Sequence, residues 1–236
     1  MNTTKLILTL FTVTFSSMLA NTVYAAEDLT KACQGKNYQS SVVPEKMTVQ
    51  EKKLRFRCLV QPAVIAVFLE LTNQYNSISD AVKQDRESAN IKRLKKKYKA
   101  TTNNDLLKAM KPHPKSIALA QAAMESAWGT SRFFVQANNI FGVWSFNKNE
   151  PRIAAGEKRG EKTIWVKKYS SVKDAINDYY LVLARGRAFG EFRNLKIKSS
   201  DPYKLVEKLD SYSERGAEYG KELASMIRYN KFYKVD

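Results

Sequence analysis

One acidic side chain, Glu125, lies in a stretch of sequence that is otherwise almost entirely apolar. Between residues 117 and 128 the only other polar side chains are Gln121 and Ser126, so a helix there is apolar almost all round and must be buried. Burial and the negative end of the helix dipole both disfavour the charged carboxylate and therefore raise its pKa. A carboxyl group that stays protonated is what general acid catalysis requires. The sequence therefore predicts Glu125 as a candidate general acid.

A structural role for Glu125 remains open from these residues alone. The alternative is a salt bridge to an arginine such as Arg132, which would hold the carboxylate charged. Gln121 precedes Glu125 by four residues, so both side chains fall on one narrow polar strip of the helix. We therefore expect Gln121 to be a substrate contact beside Glu125.

The segment NNIFGVW, shortly after this helix, carries amide and aromatic side chains of the kind that bind sugar rings. Asn139, Phe141 and Trp144 are its candidate substrate contacts, and Trp128 is another just upstream. Two of them have a clear structural alternative. Trp128 falls on an apolar side of the predicted helix, which favours packing, and the amide of Asn139 serves equally well to tie down a turn.

The elements that must position these residues are mainly helical. Apolar residues recur at near-helical spacing from residue 62 to residue 78, where Pro62 is suited to begin a helix. From residue 163 to residue 169, successive side chains would lie on opposite faces of the chain, which predicts a strand. This strand is predicted to pair with residues 141–146, with the segment 147–162 as the connection. Further helices are predicted over 80–99, 105–110 (capped by Asn103 or Asn104), 117–128, 171–185 and 218–229, with one more opened by Asp201 and Pro202.

The N-terminus has the pattern of an export signal. Lys5 precedes a mostly apolar run, and the sequence Val-Tyr-Ala at 23–25 supplies a small-x-small cleavage site. A membrane anchor is the alternative, but the run is short and interrupted by Thr and Ser. We predict a signal peptide over 1–25, an N-terminal extension with helices over 26–100 and the main domain over 101–236. The mature protein is then periplasmic or secreted, with no stable membrane span.

Export also bears on the two cysteines, Cys33 and Cys58, because disulfides persist in oxidising compartments. A bridge between them would close a short loop and stabilise the fold by about 3 kcal/mol in the chain-entropy model. Its expected role is to hold the N-terminal extension on the domain. Two free thiols are the alternative, and neither cysteine has a neighbouring histidine or cysteine that would suggest a metal site.

The chain carries 40 Lys and Arg against 23 Asp and Glu, a formal net charge of +17. In an exported protein this charge favours a polyanionic partner such as the cell wall. The densest basic run, Lys92–Lys99, is interpreted as the solvated end of a helix, and no nucleic-acid-binding signature accompanies it. His113, the only histidine, lies between two prolines and is assigned to a loop or cap role, and a single histidine excludes a multi-histidine zinc site. Metal and nucleotide motifs are also missing, so no cofactor is expected.

Four segments together carry a family resemblance: SIALAQAAMESAWGTSRF, NNIFGVW, VKKYSSVKDAINDYY and SYSERGAEYGKELASMIRYN. In this order and spacing they are similar to the N-acetylglucosaminidase-type peptidoglycan hydrolases. The upstream FRCLVQPAVIAVFLELTNQYN resembles the N-terminal helix of their Bax-type branch, so the resemblance covers about residues 55–233. It implies a mainly α (α+β) fold, a lysozyme-like helical domain with a small β-hairpin lobe. The implied reaction is cleavage of the β-1,4 bond after N-acetylglucosamine in peptidoglycan glycan strands.

The resemblance also assigns roles to individual residues. The glutamate of the family's ALESGWG-like motif falls on Glu125, as the general acid. The tyrosine of the family's C-terminal Tyr-Ala-Thr-Asp-like motif falls on Tyr212, although the residues that follow it here, Ser-Glu-Arg, depart from that pattern. Tyr212 then helps to orient the substrate, with interface packing as its structural alternative. Tyr219 is expected to line the groove.

The second catalytic group is less well defined by the resemblance. A carboxylate on the β-lobe is implied, and Glu157 and Glu161 are the candidates, with Glu150 a weaker one. A retaining enzyme needs its two carboxyl groups about 5–5.5 Å apart, and an inverting enzyme about 6.5–9.5 Å. If no lobe carboxylate reaches Glu125, the N-acetyl group of the substrate is the remaining nucleophile.

Two other functions are compatible with these residues. A lytic transglycosylase also uses one buried glutamate on this kind of fold, but it cuts on the muramyl side and leaves an anhydro end. A non-catalytic wall-binding or regulatory protein could retain the same fold. In each case the partner is the peptidoglycan glycan strand and not nucleic acid, and the sequence leaves the oligomeric state open.

Overall fold

The computed structural model describes residues 29–84, 88–159 and 162–236, and for residues 157–159 and 162 it describes the backbone alone. The predicted signal peptide, residues 1–25, and Glu161 therefore lie outside the described residues. Within the described ranges, no helix combines the length and the apolar composition that crossing a membrane requires.

The described chain is mostly helical, with one two-stranded antiparallel sheet, which confirms the predicted mainly α fold class with a small β-hairpin. Short 3-10 turns lie at Arg187–Phe189, Asp210–Tyr212 and Phe232–Val235. The strands are β1 (Arg152–Arg159) and β2 (Lys162–Lys167). The helices are α1 (Val49–Lys83), α2 (Ala89–Tyr98), α3 (Asn103–Met110), α4 (Lys115–Glu125), α5 (Arg132–Ala137), α6 (Val172–Arg185), α7 (Gly190–Lys198), α8 (Pro202–Val206) and α9 (Ala217–Tyr229).

Helix α1 is longer than its sequence pattern suggests. A capping box formed by Thr48 and Glu51 begins it, so the prediction that Pro62 begins the helix is wrong, and Pro62 lies inside it. Its apolar stripe, which includes Phe56 and Val60, is fully buried in the same hydrophobic core as α4. The N-terminal part of the chain is thus packed into the core that also holds the candidate acid, while the domain boundary near residue 100 stays a prediction.

Helix α4 lies at the centre of the molecule, as its apolar sequence predicts. Every residue from Lys115 to Ala123 is buried, and the helix packs against α1, α9 and the last 3-10 turn. Small alanine side chains on several faces allow these neighbours to approach closely. The helix ends at Glu125, three residues before the predicted end, because the backbone then turns into the left-handed region.

Other helix starts follow the sequence signals with two exceptions. The prediction of one helix over 80–99 is wrong, because residues 80–83 belong to α1 and α2 begins at Ala89, where Ser88 caps it. Ser171 caps α6, and Asp201 with Pro202 begins α8, as predicted. The cap of α3 is Thr102, which forms a capping box with Asp105, so the assignment of the cap to the following asparagines is wrong. The basic run after Lys92 is the exposed face and C-terminal end of α2, whose other face is buried.

In the hairpin, β2 pairs with a different segment from the predicted one, residues 141–146. Strand β2 pairs with β1, within the segment that the sequence assigned to the connection, and the register shifts between Ala154 and Lys158. Residues 141–146 contribute only an isolated bridge, from Trp144 to Val166. The Arg132 guanidinium on α5 donates to the carbonyls of Ala154 and Ala155 at 2.7 and 2.8 Å and so holds the hairpin against the helical part.

The N-terminal segment before α1 is held by a disulfide and by side-chain hydrogen bonds. Cys33 and Cys58 form a disulfide, as predicted, which ties this segment to α1. Arg55, fully buried on α1, donates to the carbonyls of Gln39 and Val42 at 2.7 Å and to the carbonyl of Gly129 at 2.8 Å. The same guanidinium therefore joins the N-terminal segment to the turn that follows α4.

Candidate active site

Glu125 is the last residue of α4, and the chain reverses sharply after it. Ala127, Trp128 and Gly129 have φ values of +49°, +62° and +73°, in the left-handed region that costs least for glycine. The Ser126 hydroxyl accepts from the Gly129 N–H at 2.8 Å and stabilises the turn. Glu125 is half-buried, so its carboxyl group stands at the end of a buried helix and still reaches the surface.

The carboxyl group of Glu125 is the end of a chain of buried hydrogen bonds. The Tyr219 hydroxyl on α9 donates to Glu125 Oε1 at 2.8 Å, and Gln121 Nε2 donates to the Tyr219 hydroxyl at 3.0 Å. The Tyr179 hydroxyl on α6 donates to Gln121 Oε1 at 2.6 Å, and His113 Nε2 lies 3.0 Å from that hydroxyl. We call these five residues the hydrogen-bond chain.

The hydrogen-bond chain has one direction. A hydroxyl group has a single proton, and Tyr179 gives its proton to Gln121, so the His113 imidazole must donate to Tyr179 from Nε2. Complete burial, with the charge of Lys196 as a smaller cause, holds the pKa of His113 well below its usual value and keeps the ring neutral. All donors then point toward Glu125, and its Oε1 is held as an acceptor.

Burial is the largest influence on the charge of Glu125, and it raises the pKa of the carboxyl group. The hydrogen bond from Tyr219 and the charge of Arg215 lower that pKa in part, and the charge of Glu222 raises it. The net direction is upward, which favours the protonated acid. Because Oε1 accepts from Tyr219, Oε2 is the oxygen placed to carry a proton and deliver it to a substrate.

Tyr212 lies beside this carboxyl group. Its ring stacks on Tyr219, with centroids 5.5 Å apart and planes 8° from parallel. Burial and the charge of Glu125 raise the pKa of Tyr212, so its hydroxyl stays protonated at neutral pH. The role of Tyr212 in orienting the substrate stays a prediction, and Arg215, in the segment that departs from the family motif, pairs with Glu222.

Four predicted substrate contacts are buried and face the interior. Gln121 and Tyr219 belong to the hydrogen-bond chain, and Phe141 stacks on Tyr179 with centroids 3.9 Å apart. The amide of Asn139 binds the backbone of Val143 and the Lys167 carbonyl, at 2.8–2.9 Å. The polar atoms of Gln121, Asn139 and Tyr219 are engaged within the protein, and Phe141 packs against the hydrogen-bond chain through Tyr179. Direct sugar contact by these four side chains stays a prediction.

Two predicted aromatic residues remain accessible at the surface. Trp128 is half-buried, with its ring edge-on to Phe56 at 5.3 Å between centroids. Trp144 is 41% exposed at the base of the hairpin, beside Phe146, which is 85% exposed and was not among the predicted residues. Sugar-stacking roles for Trp128 and Trp144 therefore stay predictions.

The structure does not bring a lobe carboxylate to Glu125 among the side chains it describes. Glu150 accepts from the Ser145 hydroxyl at 2.7 Å and lies 3.9 Å from Lys167 Nζ. Lys167 also pairs with Asp178 at 2.8 Å, so Glu150 belongs to a cluster that fastens β2 to α6. For Glu157 the backbone in β1 is described and the side chain is not, so its role stays a prediction.

Sequence reasoning missed several residues around Glu125. His113 was assigned to a loop, and it does lie in one, but its ring is buried and ends the hydrogen-bond chain. Tyr179 gave no separate signal because a buried tyrosine looks like any core aromatic residue. Glu222 lies one helical turn after Tyr219 on α9, a spacing that places both near Glu125 once Tyr219 is known to contact it.

We expect Tyr219→Phe to lower kcat by about tenfold, the cost of one hydrogen bond to a charged group. The lost bond normally lowers the pKa of Glu125, so the pH at which activity falls on the alkaline side should move upward. The measurement is kcat against pH on purified cell-wall substrate. Tyr233→Phe, at an exposed tyrosine, is the matched control. An unchanged alkaline limb in Tyr219→Phe would contradict the assignment of this hydroxyl.

Comparison with known proteins places this geometry in a family. The family model for mannosyl-glycoprotein endo-beta-N-acetylglucosaminidases matches residues 104–232. Protein bax of Escherichia coli is 27% identical over 198 residues, covering 76% of this chain and 70% of that protein. Exo-glucosaminidase LytG of Bacillus subtilis is 33% identical over 94 residues, covering 38% of this chain and 33% of its own length. The catalytic domain of the autolysin Auto from Listeria monocytogenes superposes with a TM-score of 0.46 and 18% identity, covering 91% and 97% of the two chains.

Proposed function

The chain belongs to the family of mannosyl-glycoprotein endo-beta-N-acetylglucosaminidases and is a glycoside hydrolase of the peptidoglycan-hydrolase type, and we propose that it cleaves the β-1,4 bond after N-acetylglucosamine. In this proposal Glu125 is the general acid. The observation that carries it is the half-buried carboxyl group at the end of α4, with a raised pKa and one oxygen held by Tyr219. A carboxyl group in this state can protonate the departing glycosidic oxygen from Oε2.

We propose two alternatives for the second catalytic group. Glu157 or Glu161, on the hairpin, acts either as a nucleophile or as a base that activates water, according to its distance from Glu125 in the substrate complex. If neither carboxylate reaches the sugar, the N-acetyl group of the substrate attacks the anomeric carbon and Tyr212 orients it. The protonated hydroxyl of Tyr212, beside Glu125, supports that second route.

We also propose that the protein acts outside the cytoplasm. Residues 1–25 are then a signal peptide, residues 26–100 an N-terminal extension and residues 101–236 the glucosaminidase domain. The bridge between Cys33 and Cys58 supports export, since such bonds persist in oxidising compartments. The net charge of +17 supports a polyanionic substrate such as the carboxylate-bearing cell wall.

Product analysis tests the proposed bond. Purified wall digested by the wild-type protein should release fragments whose new reducing end is N-acetylglucosamine, as read by mass spectrometry after borohydride reduction. Fragments with a 1,6-anhydromuramyl end would instead identify a lytic transglycosylase. Binding to wall without release of any fragment would indicate a non-catalytic wall-binding protein. Measuring the anomeric form of the first product by NMR separates the routes, because an inverted product excludes attack by the N-acetyl group.

Charge changes at Arg215 and Glu222 should move the pH profile in opposite directions. A general acid must be protonated, so activity falls as pH rises through the pKa of Glu125. Arg215→Gln removes a charge that lowers this pKa and should shift the alkaline limb upward, by about half a pH unit or less at these exposed sites. Glu222→Gln removes a charge that raises it and should shift the limb downward. Shifts of the same sign in kcat against pH would disprove this electrostatic assignment.

A further inference from the structure

A surface pocket of about 540 Å³ lies between α1, the turn after α4 and α9. Its lining includes Lys53, Trp128, Glu222, Met226 and Tyr229. The volume falls within the range of about 300–1,000 Å³ that ligand pockets occupy. Tyr229, in the lining, is 81% exposed, so it is accessible to a ligand.

This pocket adjoins the candidate acid. Trp128, in its wall, follows Glu125 by three residues in the sharp turn. Glu222, also in its wall, lies one helical turn beyond Tyr219, the residue that donates to Glu125. A polymer bound across Glu125 would therefore have its neighbouring units within reach of the pocket.

The chemistry of the pocket combines aromatic rings with a fixed cation. Lys53 Nζ lies 4.9 Å from the centroid of the Trp128 ring and 4.8 Å from that of Tyr229. It donates to Asn230 Oδ1 at 2.7 Å, which uses one of its three N–H groups. The rings hold the ammonium group in place by cation–π attraction. Such a site suits a sugar ring that also carries a carboxylate.

We propose that this pocket is a subsite for the N-acetylmuramic acid unit next to the cleaved bond, with Lys53 binding its carboxylate and Tyr229 stacking on its ring. This inference rests on the proposed function, because it takes the glycan strand as the substrate. In such a strand the two sugars alternate, and only the muramyl unit carries a lactyl group. Its carboxylate is free, or is extended by a stem peptide that ends in carboxylates of its own.

The binding role of Lys53 is tested by binding measurements on Glu125→Gln, which is expected to cleave substrate at least about a hundredfold more slowly than the wild type. The probes are a peptide-free tetrasaccharide of alternating N-acetylglucosamine and N-acetylmuramic acid, the same tetrasaccharide with stem peptides, and chitotetraose, which has no carboxylate. Adding Lys53→Met should weaken binding of a carboxylate-bearing probe by about tenfold and leave chitotetraose unchanged. Preference for the peptide-free or the peptide-bearing probe identifies which carboxylate is bound. Lys53→Arg should retain the preference, and high salt should reduce it.

The stacking role of the Tyr229 ring is tested separately by Tyr229→Ala, which should weaken binding of all three probes. Tyr233→Ala, at a neighbouring exposed tyrosine, should leave the binding of these probes unchanged. Lys92→Met on α2 is the charge-matched control for Lys53. Equal effects of Lys53→Met on chitotetraose and on the carboxylate-bearing probes, or no effect on either, would overturn the subsite. The proposed function fails by a different result, namely wall digestion by the wild type that yields no N-acetylglucosamine reducing ends.

Discussion

Glu125→Gln should reduce wall digestion by about a hundredfold to 10⁴-fold, the range that general acid catalysis contributes, while the protein stays folded. Glutamine keeps the shape of the side chain and can still accept from the Tyr219 hydroxyl through its carbonyl oxygen. It has no acidic proton to give to the leaving oxygen. The expected loss is therefore in kcat, with KM little changed, because ground-state contacts to the sugar remain.

The measurement is release of soluble fragments from purified peptidoglycan, with thermal unfolding run on the same samples. Glu207→Gln, at an exposed glutamate, removes the same charge away from the site and should digest wall at the wild-type rate. Wall digestion by Glu125→Gln within about threefold of wild type is smaller than any general acid effect and would remove Glu125 from the mechanism.

Arg55→Met should lower the free energy of unfolding by about 2–4 kcal/mol, because it removes several charged hydrogen bonds at once. The guanidinium is fully buried and supplies donors to carbonyls of the N-terminal segment and to Gly129. Methionine fills a similar volume but leaves those carbonyls without this donor. Relief of the desolvation that lowers the pKa of Arg55 offsets part of the loss and does not reverse it.

Thermal and chemical unfolding measure this loss, and a drop in Tm of about 4–16 °C is expected for a chain of this size. Arg93→Met is the control, since Arg93 is exposed and donates to the nearby Asn90 side chain. Equal stability of Arg55→Met and Arg93→Met would contradict the assigned role. Because the same guanidinium holds the turn after Glu125, Arg55→Met should also lower kcat at temperatures where it remains folded.

Local sequence signals were sufficient for most of the helices and for the burial of the carboxyl group at the end of α4. An apolar run broken by Gln121 and Glu125 has one stable arrangement, a buried helix, and the carboxyl group at its end must lose solvent. Caps such as Ser171 and Asp201 act on backbone groups within three residues, so they too are readable from the sequence. These features depend on residues that are close to one another in the sequence, so they can be predicted from the sequence.

Contacts between distant residues were decided only by the tertiary structure. Tyr219 and Glu125 are 94 residues apart, and His113 and Tyr179 are 66 residues apart, so no spacing rule links them. The position of the hairpin against the helical part likewise depends on Arg132, which bonds to the Ala154 carbonyl 22 residues away. Tertiary packing chooses among many side chains of similar type, because each buried donor must find an acceptor within hydrogen-bond distance. The sequence by itself thus determined which carboxyl group is buried at a helix end, and packing decided which hydroxyl holds it and what lies beside it.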